Sequence, residues 1–180
     1  MDEENTKQLI LAAQAGERNA FEELLQENYE LMYRIAFKWC GNKENAEDIT
    51  QDACIKLAHS IGSFRFHSKF STWLYRLVIN TAKDWFKSNN RHKGESLHET
   101  GKVGASQATA EDSLYAHEVL DHVRALPDKE KDAVLLVCGQ GMTHAEAAEV
   151  MDVKESTVSW YIHEARKKLE KFKDKERRHG

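Results

Sequence analysis

The chain has 180 residues, 41% of them apolar and 31% charged, with a formal net charge of −4. This composition fits one medium or two small globular domains and is too apolar for a disordered chain. A single proline, the lack of any Asn-Gly turn, the short apolar runs and three scattered cysteines (Cys40, Cys54, Cys138) exclude a hairpin-rich β fold, a membrane span and a disulfide framework. What remains is an all-α protein without membrane insertion. The acidic, polar N-terminus MDEENTK is unlike a signal peptide, and the sparse cysteines suit a reducing cytoplasm.

The first helix is predicted over Thr6–Ala15, stopped by Gly16. Asn19 is a candidate cap for a second helix, whose apolar residues Leu24, Leu25, Met32, Ile35, Ala36 and Trp39 recur at helical spacing until Gly41. A third runs from about Lys43 to Ser60, with Ile49, Ala53, Leu57 and Ile61 four apart as its buried stripe. Phe64–Phe70 has no clear period and reads as a loop. Ser71 or Thr72 can cap a fourth helix reaching about Ser88.

From Asn89 to Ala110 the chain is polar, rich in Gly, Ser and Thr, and reads as a flexible linker. The expected organisation is one domain over 1–90, a linker over 91–110 and a second domain over 111–180. In the second, Leu114, Val119, Leu120 and Val123 predict a helix ending before Pro127. Asp128 is placed as the cap of another reaching about Cys138, with Val134, Leu135 and Val137 inward. Thr143 and Glu146 then form the capping-box pattern T-x-x-E ahead of a short helix to Met151. A turn at Asp152–Lys154 and a long helix from Glu155 to about Lys173 complete a helix-turn-helix pattern.

Charge is segregated along the chain. Residues 63–93 carry seven basic side chains and one acid, whereas residues 1–62 carry six basic and twelve acidic ones. Within the basic segment, FRFHSKFSTWLYRLVINTAKDWFK interleaves seven rings with Arg65, Lys69, Arg76, Lys83 and Lys87. Arg76, Asn80, Lys83 and Lys87 follow one helical stripe. Leu74, Leu77, Val78, Thr81 and Trp85 line the core side. Rings among cations suit unpaired nucleic acid, because bases stack on rings while cations follow phosphates. In the acidic N-A-E-D-I-T-Q-D, Asp48, Gln51 and Asp52 share a helix face suited to a protein partner. The nine histidines do not cluster, no C-x-x-C pair occurs, and no phosphate loop or nucleophile elbow is present. The reading is therefore no metal, no cofactor and no enzyme chemistry.

Taken in order, AEDITQDACIKLA, FRFHSKFSTWLYRLVINTAKDW, a polar linker and LPDKEKDAVLLVCGQGMTHAEAAEVMDVKESTVSWYIHEARKKL resemble an extracytoplasmic-function sigma factor. The resemblance covers about Leu9 to Leu169. It implies a region-two domain in which Asp48, Gln51 and Asp52 meet the β′ clamp helices of core RNA polymerase. It also implies that the segment with Arg65, Lys69, Trp73, Arg76, Asn80 and Lys83 reads the single-stranded −10 element. A region-four domain would place Ser156, Thr157, Ser159, Trp160, Tyr161, His163 and Arg166 toward the −35 element and pack on the β flap. An anti-sigma factor is a further implied partner.

The recognition helix departs from the family pattern T-V-K-S-R-L-H-R-A-R. The matching residues run from Thr157 to Arg166, and three family cations are replaced by Ser159, Tyr161 and Glu164. Ser159 and Tyr161 can still hydrogen-bond, Trp160 can touch thymine methyls, and Arg166, Lys167 and Lys168 keep charge nearby. This fits either an altered −35 preference or a weak −35 readout, with an additional recruiting protein positioning the factor. Plain helix packing of the two rings is the third reading. A simple helix-turn-helix regulator would explain residues 111–173 but leave the ring-rich segment without a task.

Overall fold

The computed structural model describes residues 3–92 and 119–177, and among them every regular element is helical. The described residues divide into two compact units. One comprises residues 3–37 and 44–92, and the other residues 38–43 and 119–177.

The N-terminal unit is built from α1 (Glu3–Gln14), α3 (Lys43–Ser60), α4 (Phe70–His92) and most of α2 (Arg18–Cys40). α1 starts three residues earlier than predicted, because Glu3 and Glu4 sit well at the positive end of the helix dipole. Asn19 is not a cap. It lies inside the first turn of α2, where Arg18 pairs with Glu22 at 2.7 Å. The α3 stripe is as predicted, since Ile49, Ala53 and Leu57 are fully buried and Ile61 nearly so. A 3-10 turn, Ile61–Ser63, follows α3 and packs against α1.

α4 begins at Phe70, ahead of the predicted caps. Trp73 N–H donates to Lys69 O at 3.2 Å, and Thr72 is buried inside the helix. Its inner face carries Leu74, Tyr75, Val78, Ile79, Thr81 and Ala82, while Leu77 and Trp85, expected as core, are only half-buried. The helix extends to His92, so its end takes up the start of the stretch read as linker. The remainder of that stretch, and Leu114 of the predicted next helix, lie outside the described residues.

In the C-terminal unit, residues 119–124 are helical, and three helices follow: α5 (Asp128–Gln140), α6 (His144–Met151) and α7 (Glu155–Arg177). Asp128 does not cap α5. The cap position is Pro127, whose carbonyl accepts from Lys131 N–H at 2.9 Å, while Asp128 sits in the first turn and pairs with Lys131 at 3.2 Å. Leu135 and Leu136 are buried in α5 along with Glu130, Lys131, Asp132 and Ala133, while Val134 and Val137 are half-buried. The chain leaves α5 through Gly141 in the left-handed region at φ 71°, a conformation a Cβ would disfavour.

The capping box of α6 is formed. Thr143 N–H donates to Glu146 Oε2 at 2.9 Å, and Glu146 N–H donates to Thr143 Oγ1 at 3.2 Å. α6 ends in a Schellman turn, with Asp152 left-handed at φ 54° and Val153 N–H donating to Ala148 O at 3.1 Å. α5 and α6 both pack on α7. Ala147, Ala148, Val158 and Ala165 are buried, and the small side chains let the helix axes approach closely.

Candidate nucleic-acid interface

The ring-rich segment sorts into anchors and a display. Phe64 is 4% exposed and meets Phe66, Phe70 and Trp73 with ring centroids 4.9, 5.6 and 5.5 Å away. Phe70 is buried, stacks on Trp73 at 5.8 Å, and Tyr75 is buried too. Burial pushes the Tyr75 phenol above its usual range, so it stays protonated in the core. These rings hold the loop on the bundle. Two carbonyls of the loop are tied from outside it, since Gln14 Nε2 donates to Ile61 O and to Phe64 O, each at 2.9 Å.

Phe66 is the exception. It is 40% exposed and has φ 58°. A bulky residue rarely enters the left-handed region, where the backbone costs about 1–2 kcal/mol. Strain of this kind persists only where surrounding contacts hold it, and the Phe64 ring 4.9 Å away is one of them.

Beside Phe66 opens a cleft of about 950 Å³. One wall is the loop from Phe64 to Ser71, including His67 and Lys69, and the other is Glu3, Glu4, Thr6, Lys7, Ile10, Glu27 and Asn28. The sequence reading had not placed α1 or Glu27 and Asn28 here, and no local pattern could have done so, because the contact is made by residues more than thirty positions away. Lys69 is exposed, and so is Arg65, whose Nη1 donates to Gly62 O at 2.7 Å. Trp73 is half-buried behind them. Along α4, Asn80 is exposed, while Arg76 and Lys83 are half-buried. The one acid of the segment, Asp84, is paired with Lys56 of α3 at 2.7 Å. That pair adds little stability.

On α3, Asp48, Gln51 and Asp52 are all exposed, as expected for a shared face. Ile55 joins them at 57% exposure. The sequence reading missed it, although its spacing carried the signal. It lies three residues beyond Asp52 and off the Ile49–Ala53–Leu57 stripe.

On α7, Ser156, Ser159, Trp160, His163 and Arg166 are exposed, while Thr157 and Tyr161 are half-buried. Trp160 is 54% exposed, and its ring lies 5.2 Å from that of Tyr161 at an interplanar angle of 59°. Ser159 Oγ lies 2.8 Å from His144 Nδ1 and can donate to Glu155 O at 3.3 Å. Glu164 pairs with Lys167 at 3.1 Å. The hydrogen bond from Lys167 holds the Glu164 carboxyl below its usual range, so it is charged at neutral pH. Lys168 is bound to Glu130 of α5 at 2.6 Å. Two of the cations counted in the sequence as remaining for DNA are thus engaged within the protein.

No group of three or more metal-ligating side chains occurs among the described residues, and no described helix is long and apolar enough to cross a membrane.

Comparison with known proteins adds to this geometry. The family model for Sigma-70 region 2 matches residues 24–92, and that for Sigma-70 region 4 matches residues 116–169. The ECF RNA polymerase sigma factor SigM of Mycobacterium tuberculosis is 30% identical over 167 residues, covering 93% of this chain and 84% of the relative. SigW of Bacillus subtilis, also an ECF RNA polymerase sigma factor, is 27% identical over 177 residues, covering 92% and 95%. Among solved structures, CnrH in complex with the cytosolic domain of CnrY superposes with a TM-score of 0.67 at 20% identity, covering 94% of this chain and 97% of the other. RpoE of Bartonella quintana, in complex with the anti-sigma factor NepR, gives 0.68 at 20% identity, covering 84% and 94%. These two establish a shared fold.

Proposed function

The chain belongs to the sigma-70 family of RNA polymerase initiation factors, in its extracytoplasmic-function group, and on that premise we propose how its surfaces divide the work of an alternative sigma factor. The α3 face of Asp48, Gln51 and Asp52, with Ile55 at its apolar edge, docks on the β′ clamp helices. The strained loop and α4 capture the melted −10 element. Phe66 offers a stacking surface, Trp73 backs it, and Arg65, Lys69, Arg76, Asn80 and Lys83 hold the phosphates. A base taken out of its stack costs a few kcal/mol, which a ring, a cleft and nearby cations offset. α7 enters the major groove at the −35 element, and the C-terminal unit also meets the β flap. The factor acts in the cytoplasm, needs no cofactor and carries out no chemistry of its own. RpoE, which shares its fold, was solved with the anti-sigma factor NepR, and CnrH with the cytosolic domain of CnrY, which supports an anti-sigma factor for this chain as well.

The observation that carries this reading is Phe66, an exposed aromatic held at φ 58° in a loop with Arg65 and Lys69, beside a cleft whose far wall carries Lys7 along with Glu3, Glu4 and Glu27. A plain helix-turn-helix regulator has no use for it. In-vitro transcription with sigma-free core polymerase tests the proposal. The wild-type chain should give defined starts on a genomic library. The Asp48→Ala/Asp52→Ala variant should bind core about tenfold or more weakly, as loss of an interface anchor does. Defined starts that survive unchanged in that variant would refute the clamp assignment.

A further inference from the structure

The base-facing part of α7 lacks the side chains on which most sequence readers rely. From Glu155 to Ala165 it reads ESTVSWYIHEA, with no Arg or Lys to take guanine bidentately and no Asn or Gln to take adenine. Its two charged groups, Glu155 and Glu164, are both acids. Cations stand only at the ends: exposed Lys154 in the turn before the helix and exposed Arg166 after the segment. Twelve residues of helix separate them by roughly 18 Å, wide enough to reach phosphates on the two sides of a major groove about 12 Å across. The charge is placed for the backbone, and the interior of the segment is left for base edges.

What that interior presents is an indole, flanked on the same face by exposed Ser156 and His163, neither of which reads guanine or adenine bidentately. Val158 and Ala165 are buried and fix the inward face. Trp160 is two residues from Val158, about 200° around the helix, and so points directly outward. Tyr161, half-buried, braces the ring at 5.2 Å. Ser159, adjacent in sequence, is already engaged with His144 Nδ1 at 2.8 Å.

Building on the proposed placement of α7 at the upstream element, we infer that Trp160 is its specificity-determining residue. It packs on the C5-methyl groups of adjacent thymines, so the upstream element of this factor is recognised by thymine methyls rather than by guanine hydrogen bonds.

The test uses holoenzyme assembled from core polymerase and the full chain, on promoter duplexes recovered by in-vitro selection with the upstream region randomised. Each upstream thymine is replaced singly by deoxyuridine, which removes only the methyl. Open-complex formation should fall about fourfold at one or two adjacent positions, the worth of one buried methyl. Trp160→Ala should lower the thymine template to the deoxyuridine level and erase the difference between the two. Trp160→Arg should move selection toward guanine at the same positions. If deoxyuridine has no effect while hydroxyl-radical footprinting still shows upstream protection, α7 reads DNA by other means and the inference fails alone. If no upstream duplex is protected, the placement of α7 fails with it. If Trp160→Ala matters only when a further protein is added, the ring belongs to a protein interface and the inference is overturned.

Discussion

Phe66 and Trp160 are both aromatic rings put out into solvent on surfaces assigned to DNA, yet the chain exposes them by opposite means. Trp160 stands on a regular helix, where register alone turns it away from buried Val158 and Ala165. Phe66 is turned outward by its own backbone, at φ 58°, between anchors Phe64 and Phe70. A helix presents a side chain at no conformational cost and in one direction. A strained loop costs stability but can aim a ring into a cleft. The difference suits the two tasks, since a duplex groove accepts a rod, whereas an unpaired base needs a pocket with a lip.

That contrast can be broken most sharply at its anchor. Phe64→Ala removes a buried ring with three aromatic neighbours and should cost about 3–5 kcal/mol. Trp160→Ala should stay within about 0.5 kcal/mol. Urea unfolding of the two variants measures both, and equal effects would mean that the loop is not seated as described. Smaller, and opposite in sign, is Phe66→Gly. Glycine relieves the left-handed backbone, and although the chain entropy it adds to the unfolded state offsets part of that gain, stability should hold or rise by up to about 1 kcal/mol. Permanganate footprinting should nevertheless show loss of −10 melting. A variant that melts promoters normally would remove Phe66 from the site. On the helical side, Thr143→Ala takes away the capping box and should cost about 1 kcal/mol. It should weaken upstream protection while leaving −10 melting intact.

Much of the fold was legible because helical periods are local. The Ile49–Ala53–Leu57 stripe, the Thr143–Glu146 box and the turn at Asp152 all follow from residues within one or two turns of each other. The errors lie at helix ends, in aperiodic stretches and where distant contacts decide. Phe64 and Phe70 had no period to reveal them, and they are buried by packing against neighbours within the loop and on α4. Asn19 and Asp128 have the right chemistry for caps but are the second and first residues of their helices. Lys168 looked available until its partner Glu130, 38 positions away, was placed beside it. Of the site, the rings, cations and acidic face were visible as patterns. The strain at Phe66 and the far wall of the cleft were not, because neither a backbone torsion nor a cavity is written in any short run of residues.

Gln14 holds the turn and the loop through backbone carbonyls, those of Ile61 and Phe64. Such a clasp is indifferent to spelling. The letters between Phe64 and Phe70 can be exchanged while the same two bonds close, provided the flanking rings remain. On the proposed role of the loop, promoter preference at this end of the molecule is a replaceable cartridge. A loop of equal length grafted from a relative should bring its own preference without asking the bundle beneath to be rebuilt.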